Sequence, residues 1–191
     1  DIATSITLQG VGPDATILDG GGLDRVLDIR PGATVVVADL TVRNGASPSL
    51  GGGGGIRNEG ALTLIDVLVT GNTASGEGGG VASTGTLAVL RSRLVDNSAS
   101  DDGGGLVSKG PTLVEASTVA ANRASDRGGG LSVEAGTAVV RDSTIADNTS
   151  TAGGGIEVTS PRPFSWSAPR SRETSARWEA DCVCAATRPR S

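Results

Sequence analysis

The sequence predicts an all-β fold, a solenoid in which the short strands of successive coils stack on one another. A glycine triplet recurs with a constant step of 25 residues, ending at Gly55, Gly80, Gly105, Gly130 and Gly155. Between the triplets, apolar runs of about five to ten residues are rich in Val, Thr, Ile and Leu, which favours strands over helices. A fixed period of this size is typical of stacked repeat units.

A single coil cannot be stable alone, because about 25 residues hold only two or three short strands. Ordering the backbone costs ~1–2 kcal/mol per residue. Each buried aliphatic side chain returns only ~1.5–3 kcal/mol, and a coil has few of them. Stability therefore requires that each strand pair with the coils above and below it, at a spacing of about 4.8 Å.

Stacking turns the repeat into columns of equivalent residues. Three interior columns are predicted: Ile56, Val81, Leu106, Leu131 and Ile156; Leu64, Val89, Val114 and Val140; and Val69, Leu94, Val119 and Ile145. At one turn the side-chain amides can donate to one another in a stacked ladder, formed by Asn72, Asn97, Asn122 and Asn148. A second turn is expected to be lined by Ser92, Ser117 and Ser143.

The repeat resembles the right-handed parallel β-helix of the pectin-lyase-like superfamily and is similar to bacterial polymorphic outer-membrane-protein repeats. Those repeats have a GGA[I/L] turn and an FxxN turn. Here the first reads GGG plus Ile, Val or Leu, and the second reads VTGN at 69–72, LVDN at 94–97, VAAN at 119–122 and IADN at 145–148. The opening segments resemble the first coils of such proteins, although Gly45 takes the ladder position and a short loop, ASPSLG, follows it.

The resemblance covers residues 1–160, where it implies a right-handed parallel β-helix of about six coils. Residues 161–191 form an irregular, non-repeat tail that holds the only Phe, both Trp and both Cys. Rereading its codons one base out of frame can restore an STVxxN turn and a glycine triplet one step after Gly155. We therefore expect the tail to be a frame-shifted reading of the next coil, and the alternative is a genuine C-terminal extension.

Composition limits the classes of partner. Residues 1–160 carry one Lys and nine scattered Arg, so no basic stripe for nucleic acid is expected. No apolar run approaches the ~18 residues of a transmembrane segment. The first residue is Asp and no signal peptide is visible, which predicts a processed form or a fragment. The location expected for the whole protein, given its similarity to outer-membrane-protein repeats, is secreted or at the cell surface. The last regular coil is expected to end on an exposed β edge that can self-associate.

The resemblance also says where enzymes of this fold carry chemistry. Its pectate lyases hold Ca²⁺ on clustered carboxylates and use an Arg as base, and its polygalacturonases combine paired Asp with His, a residue this chain lacks. Weak carbohydrate-site candidates share one outward column: Asp66, Arg91 and Asp142. The alternative is a solvated face with weak ion pairs. Further carboxylates at or after the Asn turn are Asp96, Asp101, Asp102, Asp126 and Asp147.

The sequence favours a non-catalytic segment that serves as a stalk or adhesion scaffold and contacts cell-surface glycans or proteins. Residues 1–160 have no aromatic side chain on which a sugar ring could stack, and the turns are nearly uniform in length. No catalytic or metal-binding residue is assigned and no cofactor is expected. Binding of Ca²⁺ is left as an alternative, because DGGGLDRVLD at 19–28 matches half of a Gly/Asp-rich Ca²⁺ motif. The alternative is a fragment of a polysaccharide lyase or glycoside hydrolase of the same fold.

Overall fold

The structure, a computed structural model, describes residues 1–48, 51–159, 164–167 and 182–184. These residues form twenty-four short strands and no helix. All strand pairs are parallel, and each joins residues one coil apart, so the predicted solenoid of stacked coils is confirmed. A complete coil has four strands where two or three were predicted, because a two-residue strand follows the turns at Asn72, Asn97 and Asn122.

Two sheets follow one another before the Asn turn. Sheet 1 consists of β1 (Ile6–Gln9), β4 (Thr34–Ala38), β8 (Ala61–Ile65), β12 (Thr86–Leu90), β16 (Thr112–Glu115), β20 (Ala138–Arg141) and β23 (Phe164–Ser167). Sheet 2 consists of β2 (Ile17–Asp19), β5 (Thr41–Arg43), β9 (Leu68–Thr70), β13 (Arg93–Val95), β17 (Thr118–Ala120) and β21 (Thr144–Ala146).

The other two sheets flank the glycine triplets. Sheet 3 consists of the two-residue strands β6 (Ala46–Ser47), β10 (Thr73–Ala74), β14 (Ser98–Ala99) and β18 (Arg123–Ala124). Sheet 4 consists of β3 (Leu27–Ile29), β7 (Ile56–Asn58), β11 (Val81–Ser83), β15 (Leu106–Ser108), β19 (Leu131–Val133), β22 (Ile156–Val158) and β24 (Cys182–Cys184). The chain passes from sheet 1 through sheets 2, 3 and 4 and returns to sheet 1.

The register confirms the three predicted interior columns. Val81 pairs with Ile56 on one side and with Leu106 on the other, and the same spacing continues to the end of the column. Members of the first two columns are at most 8 % exposed. In the third column, Ile145 in the last coil is only half-buried. Among the described residues, the strand of Ile145 has a neighbour in its sheet on one side only.

One corner of every coil requires an unusual backbone conformation. The residue after each of the five sheet 1 strands from β4 to β20 has a left-handed φ between 47° and 53°, at Asp39, Asp66, Arg91, Ala116 and Asp142. Asp tolerates this conformation better than most residues because its short polar side chain can hydrogen-bond to the nearby backbone, which Ala and the long side chain of Arg do not do. At the glycine turn the limit is space, because a Cβ on Gly79 would lie 2.4 Å from the carbonyl oxygen of Ser98.

The prediction for residues 161–191 falls mostly outside the described residues. Within that segment, the backbone of β23 pairs with β20 and that of β24 pairs with β22. The register steps are Ala138 to Phe164 and Ile156 to Cys182, one residue longer than the usual repeat. In the structure, these two strands therefore continue sheets 1 and 4 by one layer.

Candidate functional site

The candidates Asp66 and Arg91 lie one above the other at the left-handed corner between sheets 1 and 2. Arg91 Nε donates to Asp66 Oδ1 at 3.1 Å and Nη2 donates to Oδ2 at 2.8 Å. These hydrogen bonds, and then the charge of Asp66, raise the pKa of the Arg91 guanidinium above its ordinary value. Both side chains are about half exposed, at 57 % and 40 %. Water screens such a pair, so it contributes little to stability.

The third candidate, Asp142, shares the column but does not meet the pair. Ala116 occupies the corner of the intervening coil, as shown by the pairing of Leu90 with Glu115 and of Glu115 with Arg141. Next to that corner, Arg141 Nη2 donates to Glu115 Oε2 at 2.8 Å and forms a separate ion pair. An open depression of about 250 Å³ beside Asp66 and Arg91 is lined by Pro13, Asp14, Val67, Leu68 and Arg93. The column thus holds one surface ion pair, Arg91 with Asp66, and a second pair, Arg141 with Glu115, lies beside it.

The four ladder asparagines lie at the predicted turn. The Nδ2 atoms of Asn72, Asn97 and Asn122 each donate to Oδ1 of the next asparagine, at 2.9, 3.0 and 2.9 Å. Each Oδ1 also accepts from the backbone N–H of the preceding coil, and Gly45 N–H fills this role for Asn72. The first three side chains are almost fully buried, whereas Asn148 is half-buried. This ladder is internal, so its role is structural.

A second internal ladder is formed by the serines that follow the left-handed corner. The hydroxyl of Ser92 accepts from Val67 N–H, that of Ser117 accepts from Ser92 N–H, and that of Ser143 accepts from Ser117 N–H. The distances are 3.0, 3.0 and 3.1 Å, and all three serines are at most 5 % exposed. The corner residue just before each of these serines is exposed, whereas the serine itself is buried. Surface side chains and the internal serine ladder are therefore adjacent in the sequence.

The outer face of sheet 4 carries a charged cluster that sequence reasoning missed. Lys109 Nζ lies 2.5 Å from Glu77 Oε2 and 3.1 Å from Glu134 Oε2, so one ammonium bridges two carboxylates. Burial raises the pKa of Glu134 more than its contact with Lys109 lowers it. Burial alone would lower the pKa of Lys109, but its hydrogen bonds with the two glutamates outweigh burial, and the pKa ends above its ordinary value.

A small depression of about 190 Å³ lies at one end of this cluster. Its lining includes Arg57, Glu59, Glu77, Ala82 and Lys109. Ala82, Val107 and Ser132 follow one another across sheet 4 on the same outward face, which makes the floor small and flat. The sequence did contain a signal for part of the cluster, because Lys109 and Glu134 are one 25-residue step apart.

Three carboxylates of the Asn-turn group come together beside the cluster. One ligand oxygen each from Asp101, Asp102 and Asp126 lies within 4.8 Å of the others. Arg127 neutralises part of this charge: its backbone N–H donates to Asp102 Oδ1 at 2.9 Å, and its Nη2 lies 3.1 Å from Asp102 Oδ2. Burial still raises the pKa of Asp102, against the charge of Arg127. The guanidinium of Arg127 thus serves as a counter-ion for these carboxylates.

The segment 19–28 runs from the last residue of β2 through a turn into β3, and its first residue is held by several hydrogen bonds. Asp19 accepts from Gly21 N–H at 2.9 Å, from Arg43 Nε at 2.7 Å and from Asn44 Nδ2 at 3.1 Å. These bonds, first that from Gly21, lower the pKa of Asp19. Its carboxylate oxygens are therefore engaged with protein donors.

The described part of the chain contains no long apolar helix of the kind that spans a bilayer. Comparison of the chain with protein family models, with curated proteins and with solved structures finds no match.

Proposed function

We propose that this chain is a non-catalytic solenoid segment of a secreted or cell-surface bacterial protein, where it acts as a stalk or adhesion scaffold. We further propose that it is related to the pectin-lyase-like solenoids that contain polymorphic outer-membrane-protein repeats. The observation that carries the proposal is the uniformity of the coils. From Ile56 to Ile156, the strands of sheet 4 repeat in one register with no inserted domain or long loop.

Uniform coils suit a spacer better than a cleft. At about 4.8 Å per coil, the six coils give a rod roughly 30 Å long. The charged side chains on its faces are largely paired with neighbours in the same or the adjoining coil, for example Arg91 with Asp66 and Arg141 with Glu115. Such a surface leaves contact with glycans or proteins to its many polar groups, and the depressions beside Arg91 and Lys109 are small.

Surface display can be tested in the bacterium that encodes the protein. Antibodies raised against the folded chain should label intact cells or the culture medium, and protease added to intact cells should remove the signal. A cytoplasmic protein should remain protected under the same treatment and serves as the control. Labelling that appears only after cell lysis would overturn the proposed location.

The alternative function, polysaccharide cleavage, is favoured by one observation. Lys109 Nζ lies 2.5 Å from Glu77 Oε2 and 3.1 Å from Glu134 Oε2. The distance between these two carboxylate oxygens therefore cannot exceed the sum of the two distances. Carboxylates about 5–5.5 Å apart are typical of retaining glycosidases, in which the acid has a raised pKa. The raised pKa of Glu134 would suit that role.

An activity assay separates the two functions. The chain is incubated with polyuronates and with neutral polysaccharides, with and without Ca²⁺, and unsaturated products and new reducing ends are measured. The scaffold proposal expects neither product. Product that Glu134→Gln abolishes, while Glu115→Gln leaves it unchanged, would show catalysis at this cluster. Unsaturated product that requires Ca²⁺ would show a lyase instead, and either result would refute the scaffold.

A further inference from the structure

Three side-chain oxygen atoms on the outer face of sheet 4 have no hydrogen-bond partner among the described residues. They are Ser132 Oγ, Glu134 Oε1 and Glu157 Oε2, and each atom is shielded from solvent. Ser132 as a whole is 0 % exposed. Buried polar groups of folded proteins almost always have a partner, so these three atoms require an explanation.

The strand register brings the three side chains to adjacent positions. Leu131 and Val133 of β19 belong to the apolar interior. Because side chains alternate along a strand, Ser132 and Glu134 face outward. Glu157 pairs with Ser132 in the next coil, about 4.8 Å away. The two glutamates therefore flank the buried hydroxyl, one along the strand and the other across the sheet.

Ser132 faces outward and is nevertheless buried, because the glycine turn of its own coil lies over it. A Cβ on Gly128 would lie 2.9 Å from Ser132 Cα. The turn of the next coil is equally close to the glutamate, since a Cβ on Gly153 would lie 2.6 Å from Glu157 Oε2. The two turns are joined by a hydrogen bond of 3.2 Å from Gly129 N–H to the Gly153 carbonyl oxygen. The hydroxyl and this carboxylate oxygen thus lie between the sheet and the turns.

The side chains around these oxygens carry a surplus of negative charge. Lys109 contacts Oε2 of Glu134, which leaves Oε1 unengaged in the described part of the chain. Arg127 is engaged by Asp102. In this region two cationic side chains are set against six carboxylates: Lys109 and Arg127 against Glu77, Asp101, Asp102, Asp126, Glu134 and Glu157. Such a surplus attracts a cation.

The chemistry of the three oxygens defines which cation fits. An ionised carboxylate can only accept, so Glu134 and Glu157 cannot satisfy each other and need a cation or a proton. Burial raises the pKa of Glu134, which is the behaviour of a carboxylate whose charge is incompletely compensated. Ca²⁺ binds about 6–8 oxygen ligands in flexible geometry, whereas Mg²⁺ demands a near-ideal octahedron. Two carboxylates and a hydroxyl on a sheet face, completed by water, therefore suit Ca²⁺.

We propose that Ser132, Glu134 and Glu157 form a binding site for one Ca²⁺ ion, which links β19 to β22 on the outer face of sheet 4. The ion ties two successive coils together outside the apolar interior. The site requires neither surface display nor glycan binding, so it and the scaffold function can fail independently. A bound ion also keeps Glu134 ionised, which is the opposite of what the acid of a glycosidase requires.

The experiment measures binding of Ca²⁺ to the full chain by equilibrium dialysis against the radioactive ion, after a chelator has removed bound metal. One ion per chain is expected, with a Kd below about 1 mM. Mg²⁺ is expected to compete at least about tenfold more weakly. No specific binding up to about 10 mM Ca²⁺ would overturn the proposal, and equal competition by Mg²⁺ would refute the choice of ion.

Variants test which carboxylates hold the ion. Glu134→Gln and Glu157→Gln each remove one charged ligand and are each expected to weaken binding about tenfold or more. Glu115→Gln is the matched control, because it removes the same charge from a carboxylate of sheet 1 that pairs with Arg141. Equal weakening in all three variants would show attraction by net charge alone and would refute the site.

A third ligand variant covers the case in which the glutamine variants do not fold. Ser132→Ala removes an oxygen that makes no hydrogen bond to the described residues, so stability in chelator should stay unchanged. Its affinity for Ca²⁺ should nevertheless fall about threefold or more, and unchanged affinity would contradict the role of the hydroxyl. Asp126→Asn tests the neighbouring aspartates. Loss of binding in Asp126→Asn, with wild-type binding in Glu134→Gln, would place the ion there and overturn the proposal.

Discussion

Removing one asparagine from the middle of the ladder should destabilise the whole solenoid. Asn97 is 1 % exposed, and its Oδ1 accepts from both Nδ2 and the backbone N–H of Asn72, at 2.9 and 3.1 Å. Its Nδ2 donates to Asn122 Oδ1 and to the backbone oxygen of Val69, both at 3.0 Å. In Asn97→Ala, the Asn72 N–H, one Asn72 amide hydrogen and the Val69 carbonyl lose these partners inside the core.

Each buried polar group without a partner costs about 1–3 kcal/mol, so the three groups together should lower the free energy of unfolding by about 3–9 kcal/mol. The assay is urea denaturation followed by far-ultraviolet circular dichroism, because residues 1–160 contain no aromatic reporter. The control is Asn44→Gly. Asn44 is exposed and has a φ of 52°, which glycine adopts at no steric cost. If Asn97→Ala costs no more than this control, the ladder does not contribute to stability as argued.

Two further predictions concern single positions. Ala116→Gly should stabilise the chain by about 0.5–1 kcal/mol, because Ala116 has a φ of 50° that a β-carbon disfavours; an unchanged or lower melting temperature would contradict this. Glu134→Gln should stabilise the chain relative to wild type more at pH 7 than at pH 4. Burial raises the pKa of Glu134 in the folded state, so its carboxyl costs stability as the pH rises above the unfolded value. Urea midpoints at the two pH values measure this difference, and a gain that is the same at both would refute it.

The sequence was sufficient to predict the solenoid and its interior columns, because both follow from periodicity. Leu64, Val89 and Val114 are separated by one repeat, and the structure places them in register with 0 % exposure. The fourth strand of each coil was missed, since a pair such as Thr73–Ala74 is too short to show an alternating pattern.

The charged surface was less predictable, because periodicity describes stacking and says little about where long side chains reach. The 25-residue step from Lys109 to Glu134 was visible in the sequence. Glu77 is not at that spacing: it contacts Lys109 from the turn that precedes β11, in the preceding coil. Asp142 was grouped with Arg91 by its column, and the intervening Ala116 separates the two. The left-handed φ of the corner also has no sequence signal at Arg91, which is not a residue type that favours it.

The regular register has a consequence for how the protein can change in length. Successive coils contact each other through nearly identical strand pairings. A gene rearrangement that adds or removes 25 residues therefore recreates an interface that the protein already contains. The chain even tolerates an odd residue: Thr112 pairs with Ala138, 26 positions on, yet Leu131 pairs with Ile156, only 25 on, because the turns absorb the difference. The reach of such a rod can therefore evolve in increments of about 4.8 Å, with each intermediate length already a foldable protein.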